Sequence, residues 1–232
     1  MDEFYSDFIV HELGTIPHTY IADGHHRAAS AFNVGKMRKE KAAAAGIKLT
    51  GEEDFHYFLT ILYPDSNLYV MDYNRVLKTL SGNTEEGVLA KLAASYNIEE
   101  VKDTPKPKAK GIHCMYLGKK WYQLQIKPEL VDLSDPIKSL DVEILAKNAL
   151  KGVFGIEDLR ADKRIDFVGG IRGLQELERR CNEDCVCAFA MFPVSVAEIM
   201  RVADSGMIMP PKSTWFEPKP RSGFVIHVIE DQ

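Results

Sequence analysis

The residues of this chain that could do chemistry are concentrated near its start, in the run Asp23-Gly24-His25-His26-Arg27. Two imidazoles and a guanidinium are good donors for an anion, and the carboxylate could bind a divalent cation. We predict phosphate contacts from Gly24, His25, His26 and Arg27. Asp23 and His26 are the candidate catalytic residues, with Asp23 acting either as a magnesium ligand or as a base for an acceptor hydroxyl.

The elements around this run should present it to a ligand. The pattern predicts a short strand at 19–22, a tight turn at Asp23-Gly24 and a helix that opens near His25. One face of that helix carries small or apolar residues at helical spacing, namely Ala28, Ala31, Phe32 and Gly35. Free N–H groups and the helix dipole at the helix start favour an anion, and Gly24 lets the backbone approach it closely.

A simpler interpretation treats the same residues as ordinary turn chemistry. Asp23 could be a helix cap, Gly24 a turn residue, and the two histidines surface groups. A cap, however, needs one polar residue, and this run contains four.

A second group of donors lies near the other end of the chain, where prolines limit backbone freedom. Lysine and arginine supply charge for phosphate, and arginine can bind it through two parallel hydrogen bonds. Trp215 and Phe216 could stack on a base or pack on the core. The candidate ligands of this group are Lys212, Ser213, Thr214, Lys219 and Arg221. Arg75 is a further candidate anion ligand, for which a surface salt bridge is an equal alternative.

Composition excludes several classes of protein. The chain has 232 residues, of which 45% are hydrophobic and 27% charged, and it has no apolar run long enough to span a membrane. A net charge of -5 argues against a broad nucleic-acid surface. Four cysteines without a signal peptide indicate reduced thiols in the cytoplasm. Cys181, Cys185 and Cys187 could form part of a zinc site, but their spacing fits structural thiols better.

The secondary-structure pattern predicts an α/β (α+β) protein with mixed sheets and flanking helices. Strands are expected at 55–63 and 68–73 as a hairpin, at 98–101, at 112–117 and 120–126 as a hairpin, and at 165–168, 185–192 and 223–229. Helices are expected at 25–45, 84–96, 142–150, 174–181 and 194–203. We expect two domains, 1–104 with the motif and 105–232 as a carboxyl-terminal α/β domain.

The run Tyr20-Ile21-Ala22-Asp23-Gly24-His25-His26-Arg27 resembles the signature of a widespread bacterial family of unknown function. The segment from Met209 to Lys219 is similar to a second signature of that family, and Arg164 to Gly170 to a weaker third one. The first run also resembles the phosphate-binding segment of the ParB/sulfiredoxin superfamily, which includes free serine kinases that use ADP. Sulfiredoxin has a catalytic cysteine where this chain has His25, so sulfiredoxin chemistry is not expected.

The resemblance implies a ParB-like phosphate-binding strand, turn and helix, with Mg²⁺ and ADP or ATP as cofactors and a hydroxyl metabolite such as free serine as acceptor. Members of the family carry a longer segment before the motif, and the kinases have a catalytic glutamate there. Only 22 residues precede Asp23 here. The chain is therefore expected to be the carboxyl-terminal part of a longer protein.

Three functions follow. The preferred hypothesis is a small-molecule kinase, or an incomplete fragment of one. The alternatives are a non-catalytic module that senses a nucleotide or anion, and a metal-dependent hydrolase built on Asp23, His25 and His26 with His11 or His18. Adjacent histidines on a helix point about 100° apart, which makes shared metal ligation awkward. The expected partners are a nucleotide and a small metabolite, with neither membrane nor nucleic acid; a homodimer is left open.

Overall fold

The chain folds into two compact units, which are described separately. The structure, a computed structural model, describes residues 3–103, 105–221 and 223–229. The smaller unit comprises residues 1–63 and 219–232, and the larger one comprises residues 64–218. The predicted division at 104/105 therefore differs from the observed one, because strands from both sides of that position pair in one sheet.

The larger unit is built on a six-stranded sheet. Its strands are β2 (Tyr73–Leu77), β3 (Tyr96–Val101), β4 (Ile112–Leu117), β5 (Lys120–Ile126), β6 (Ile165–Gly169) and β7 (Cys187–Ala190). The spatial order is β3-β5-β4-β7-β2-β6, and every neighbouring pair is antiparallel. The α+β class is confirmed, but the expected mixed sheets are antiparallel in the residues that the structure describes.

The hairpin of β4 and β5 has the predicted bounds. Gly118 and Lys119 form its two-residue turn, both with positive φ, as tight hairpin turns require. The register pairs Tyr116 with Trp121, and their ring centroids lie 5.1 Å apart. Local alternation and a turn-forming pair are therefore sufficient to specify this element.

One of the two central strands of the sheet is β7, as its apolar sequence predicts. It lies between β4 and β2, and all four of its residues are buried. Residues at zero exposure from β7, such as Ala188 and Phe189, belong to the core together with Val76 and Leu77 of β2. A strand that is covered on both faces needs apolar residues at every position.

Four helices belong to the described part of this unit, and side-chain caps explain the starts of two of them. They are α3 (Glu85–Leu92), α4 (Asp141–Leu145), α5 (Gln175–Glu183) and α6 (Val196–Asp204). Thr84 caps α3, and Ser195 forms a reciprocal capping box with Glu198 at the start of α6. A π-helical turn, Ala146–Lys151, continues α4. The helix predicted at 142–150 is thus only partly α-helical, and the one predicted at 84–96 ends earlier because β3 begins at Tyr96.

A second, two-stranded sheet pairs β1 (Tyr69–Met71) with β8 (Trp215–Glu217). The predicted hairpin of 55–63 with 68–73 is therefore wrong, since the partner of β1 lies almost 150 positions away in sequence. Gly169 at the end of β6 faces Trp215, and a Cβ at this glycine would lie 2.8 Å from Cε3 of the indole. Glycine is needed there for close packing.

The smaller unit contains α1 (Glu3–Gly14), α2 (His25–Ala44) and a 3-10 turn at Asp54–His56. The helix predicted at 25–45 is confirmed. Gly35 lets α2 approach the Phe55 carbonyl, since a Cβ there would lie 2.9 Å from that oxygen. The strands predicted at 19–22, 55–63 and 223–229 are not found among the described residues, and the apolar side chains of the last two segments are largely exposed.

Two further expectations can be compared with the structure. No helix within the described residues is both long and apolar enough to cross a membrane. The four cysteines are free thiols, and the described residues contain no cluster of three or more histidine, cysteine or acidic side chains that could hold a metal.

Candidate functional site

The Asp23–Arg27 segment forms a turn that leads directly into α2. Gly24 is the residue before the helix, and its φ of 80° lies in the left-handed region. The Asp23 carboxylate bends back to accept a hydrogen bond of 2.9 Å from the Gly24 N–H. Lys219 reaches the same carboxylate, with 3.0 Å between Nζ and Oδ2. Two predicted site segments, far apart in sequence, therefore meet within the smaller unit.

The start of α2 is not capped by a side chain. Its first helical hydrogen bond runs from the Ala28 N–H to the Gly24 carbonyl, at 2.9 Å. No side chain of the described residues accepts from the N–H groups of His25, His26 or Arg27, and the first turn contains no acidic residue. A 20-residue helix thus presents donors and the positive end of its dipole, and the Asp23 carboxylate, which is bonded to the Gly24 N–H, is the anion of the turn that precedes it.

Arg27 folds over this helix start. A Cβ placed on Gly24 would lie 3.1 Å from Nη2 of Arg27, so any larger residue at this position would displace the guanidinium. The side chains of His25, His26 and Arg27 are exposed and make no hydrogen bond with the residues that the structure describes. Their donors are therefore available to an external ligand.

The Asp23 carboxyl is held in its ionised form. Partial burial opposes ionisation, but the hydrogen bonds from Lys219 and the Gly24 N–H, with the charges of Lys219 and Arg27, hold its pKa below the usual value. A carboxylate with a lowered pKa is a weak proton acceptor at neutral pH. The geometry thus favours a positioning or cation-binding role for Asp23 over that of a base.

Arg75, unlike the exposed residues of the Asp23–Arg27 turn, is buried. It lies in β2 with no exposed surface, and its guanidinium donates to the Tyr73 carbonyl and, at 3.2 Å, to the Lys212 carbonyl. The guanidinium also lies 5.7 Å from the Phe167 ring centroid. Burial lowers its pKa to about 10. In this conformation Arg75 holds the segment around Lys212 to the sheet, and an anion does not reach it.

The Lys212–Thr214 segment is only partly available to a ligand. Lys212 is exposed, and its ammonium lies 5.8 Å from the Tyr73 ring centroid. Ser213 is buried and donates its hydroxyl to the Pro210 carbonyl at 2.7 Å. Thr214 is half-buried. The ligand roles predicted for these three residues remain predictions.

The predicted site residues thus form two groups. The smaller unit holds Asp23, Gly24, His25, His26, Arg27, Lys219 and Arg221, and the larger unit holds Arg75, Lys212, Ser213 and Thr214. Arg221 is exposed. The Lys212–Lys219 signature spans both units, because the boundary falls between Pro218 and Lys219.

Sequence reasoning missed the buried polar residues of the larger unit. Asn74 accepts from the Met191 N–H and donates to Asp72, and thereby joins β2 to the end of β7. Asp141 accepts from the Gly111 N–H through both oxygens, and its backbone carbonyl contacts His113 Nε2 at 3.2 Å. A polar residue within an apolar strand pattern, as at Asn74 and His113, is the signal that could have identified them.

A family model described as "Protein of unknown function (DUF1015)" matches residues 2–143, more than half of the sequence. The chain belongs to this family. The Asp23–Arg27 segment lies within the matched range, and the Lys212–Lys219 segment lies outside it. No curated protein matches the sequence.

Several solved structures are similar to the chain. A mutant free serine kinase in complex with AMP shares 15% identity at a TM-score of 0.43, and the match covers 84% of this chain and 66% of that one. Another structure of the free serine kinase in complex with AMP also has 15% identity and a TM-score of 0.43, with 93% and 80% covered. A conserved hypothetical protein from Pyrococcus furiosus has 18% identity and a TM-score of 0.41, with 91% and 81% covered.

Proposed function

We propose that the chain is a nucleotide-binding protein whose phosphate site is the start of α2. One observation carries the proposal: the cations Arg27 and Lys219, from distant parts of the sequence, converge with an uncapped helix start at one turn. Backbone N–H groups at a helix start and flanking cations are what a phosphate group requires.

The proposed activity is phosphoryl transfer from ADP or ATP to a hydroxyl of a small metabolite, with free serine suggested by the motif resemblance. The acceptor oxygen attacks the terminal phosphorus, the bond from that phosphorus to the bridging oxygen breaks, and AMP or ADP leaves. Arg27, His25 and the N–H groups of the turn neutralise the phosphate charge, which is the main requirement of this reaction. His26 is exposed and is proposed to accept the hydroxyl proton.

Mg²⁺ fits this turn only as an ion that enters with the nucleotide. The turn supplies a single carboxylate, Asp23, and one carboxylate with phosphate oxygens is a common ligand set for this ion. When bound, the ion would neutralise phosphate charge. Lys219 already contacts one Asp23 oxygen, so the lysine would have to share that oxygen or release it.

A second candidate function is a module that binds a nucleotide without turning it over. The lowered pKa of Asp23 is compatible with it, because this carboxylate is a poor base and turnover would then depend on His26. The metal-dependent hydrolase has no corresponding support, since the described residues contain no cluster of ligands for a metal. The free thiols support the proposed cytoplasmic location.

Calorimetric titration of ADP, ATP and CTP with Mg²⁺ tests the site. We expect Arg27→Ala to weaken binding about tenfold or more, because a charged hydrogen bond is lost. Lys39→Ala, which removes an exposed cation further along α2, is the matched control and should leave affinity unchanged. Equal affinity of wild type and Arg27→Ala would contradict the site.

Turnover separates the two candidate functions. ³¹P NMR of the protein with ADP, Mg²⁺ and L-serine should show a new phosphomonoester and AMP if the chain is a kinase. Nucleotide binding without any new phosphorus signal, across a panel of hydroxyl acceptors, would favour the sensing module.

A further inference from the structure

A cavity of about 460 Å³ lies within the larger unit. One wall is the end of α4 with the π-helical turn that follows it, and the other is the loop at 156–160. Pro210 and Pro211 border the cavity. Its volume lies within the range of small-molecule sites, about 300–1,000 Å³.

The π-helical turn shapes one wall. Its widened hydrogen bonds include Gly152 N–H to the Lys147 carbonyl at 3.2 Å and Phe154 N–H to the Ala149 carbonyl at 3.3 Å. Lys147 and Lys151 both line the cavity, whereas Ala149 is buried in the core. π-helical turns are rare and occur frequently at functional sites.

The charged groups of the cavity are not all paired with one another. Lys151 and Glu157 form an ion pair at 3.4 Å, and the Asp158 carboxylate accepts from the Arg160 N–H at 2.8 Å. Three side chains remain: the cations of Lys147 and Arg160 and the carboxylate of Glu143. None of these three has a hydrogen bond or an ion pair with the residues that the structure describes.

The remaining surface of the cavity is apolar. Ile156 is buried at 1% exposure, Leu159 is half-buried, and the two prolines add rigid apolar surface. Apolar walls with a few convergent polar groups are typical of sites for small metabolites.

We propose that this cavity binds a small ligand that carries an acidic amino-acid group. Such a group has two anionic ends and one ammonium. These match the cations of Lys147 and Arg160 and the carboxylate of Glu143, the three charged side chains that have neither a hydrogen bond nor an ion pair to the described residues. The Asp158 carboxylate is held by backbone N–H groups. Lys147 and Arg160 would bind the anionic ends, and Glu143 would accept from the ammonium. The proposal stands on these residues alone and does not depend on the nucleotide site.

Three probes isolate the three charges of the ligand. L-Glutamate carries all of them, glutarate lacks the ammonium, and L-glutamine lacks one anionic end. Calorimetric titration into the full chain without nucleotide should give the tightest binding for L-glutamate. Each missing charge should weaken binding about tenfold. Absence of L-glutamate binding at millimolar concentration, or equal affinity for the three probes, would overturn the proposal.

Variants then assign the contacts. Arg160→Gln and Lys147→Gln should each weaken L-glutamate binding about tenfold, and Glu143→Gln should remove the preference for L-glutamate over glutarate. Lys163→Gln is the matched control, because it removes an exposed cation three positions after Arg160 that does not line the cavity. Circular dichroism verifies that each variant is folded. An equal loss of binding in the control variant would mean that general charge, and not this cavity, holds the probe.

Discussion

Arg27 and Arg75 show how differently the two units use the same side chain. Arg27 is exposed at the start of a helix and has no hydrogen bond to the described residues, whereas Arg75 has no exposed surface and donates to backbone carbonyls. Both were predicted from sequence as anion ligands. Exposure distinguishes them: the first can meet a ligand, and the second holds one chain segment against another.

The same contrast extends to the carboxylates. Asp23 is partly exposed beside two cations and has a lowered pKa. Asp141 is buried, and desolvation outweighs the Gly111 N–H bonds and the charge of Lys110, so that its pKa rises to about 7. The charged groups of the Asp23–Arg27 turn are thus exposed to a ligand, whereas Arg75 and Asp141, buried in the larger unit, act on stability, Arg75 through its backbone contacts and Asp141 through its protonation state. Stability and ligand affinity should therefore respond to different substitutions.

The largest loss of stability is expected when the buried Arg75 is replaced. Arg75→Ala should lower the free energy of unfolding by about 3–5 kcal/mol, because it leaves two carbonyls without a donor and creates a cavity. Arg27→Ala should change it by less than about 0.5 kcal/mol. Urea unfolding of both variants measures the difference. If both variants lost a similar free energy of unfolding, the two arginines would not differ in their roles as we infer.

The pair His113 and Asp141 should show opposite pH dependences. Burial lowers the pKa of His113 to about 4, so its contribution to stability is lost as pH falls below the unfolded value near 6.5. The raised pKa of Asp141 has the reverse effect, and stability is lost as pH rises from about 4 towards 7. The two effects oppose each other in the wild type.

Single substitutions should reveal each effect, on the order of 2 kcal/mol over this range. Asp141→Asn leaves His113, so stability should rise with pH between 4 and 6.5. His113→Leu leaves Asp141, so stability should fall as pH rises from 4 to 7. Lys110, Glu198 and Arg75, whose charges also act on this pair, are kept unchanged in both variants. Chemical unfolding at several pH values measures both slopes, and slopes of the same sign would contradict the assignment.

A smaller loss of stability than for Arg75→Ala is expected where Gly169 packs closely in the larger unit. Gly169→Ala should cost about 1–3 kcal/mol, because the added methyl group meets the Trp215 ring. Gly14→Ala in α1 has no atom within 4 Å of the new methyl group and should leave stability unchanged or slightly raised. Thermal unfolding of the two variants compares them. A destabilising Gly14→Ala would contradict the open space that surrounds this position.

The smallest effect is expected for the ion pair of the candidate site. Lys219 and Asp23 have side chains that are 43% and 44% exposed, so Lys219→Met should change stability by less than about 0.5 kcal/mol. Nucleotide affinity should fall all the same if the site is where we propose it. A loss of stability without a loss of affinity would assign the pair to folding instead.

Local sequence patterns predicted the elements whose partners are close in sequence. The β4–β5 hairpin, the central strand β7 and α2 were found where alternation, apolar runs and helical spacing place them. Local patterns could not predict which strands pair when they lie far apart in sequence. The partner of Tyr69 is Glu217, and no local pattern encodes that choice.

Composition predicted a strand wrongly where tertiary contacts determine the secondary structure. The segment 55–63 is rich in aromatic and β-branched residues, yet only a 3-10 turn forms at its start. Strand propensity requires a neighbouring strand to take effect. The candidate site was predicted in part for the same reason: the Asp23–Arg27 turn is local, whereas its contact with Lys219 and the burial of Arg75 depend on the folded chain.

The position of β7 has a practical consequence for Cys187. Its thiol lies at zero exposure in the middle of the sheet, and burial raises its pKa well above the ordinary value. A thiol reagent can therefore reach it only when the sheet opens. The rate at which this cysteine is alkylated in native buffer should report the free energy of that opening, residue by residue if Cys114 of the neighbouring strand is followed as well. Alkylation of these native cysteines thus measures how often the sheet opens, and no probe has to be introduced.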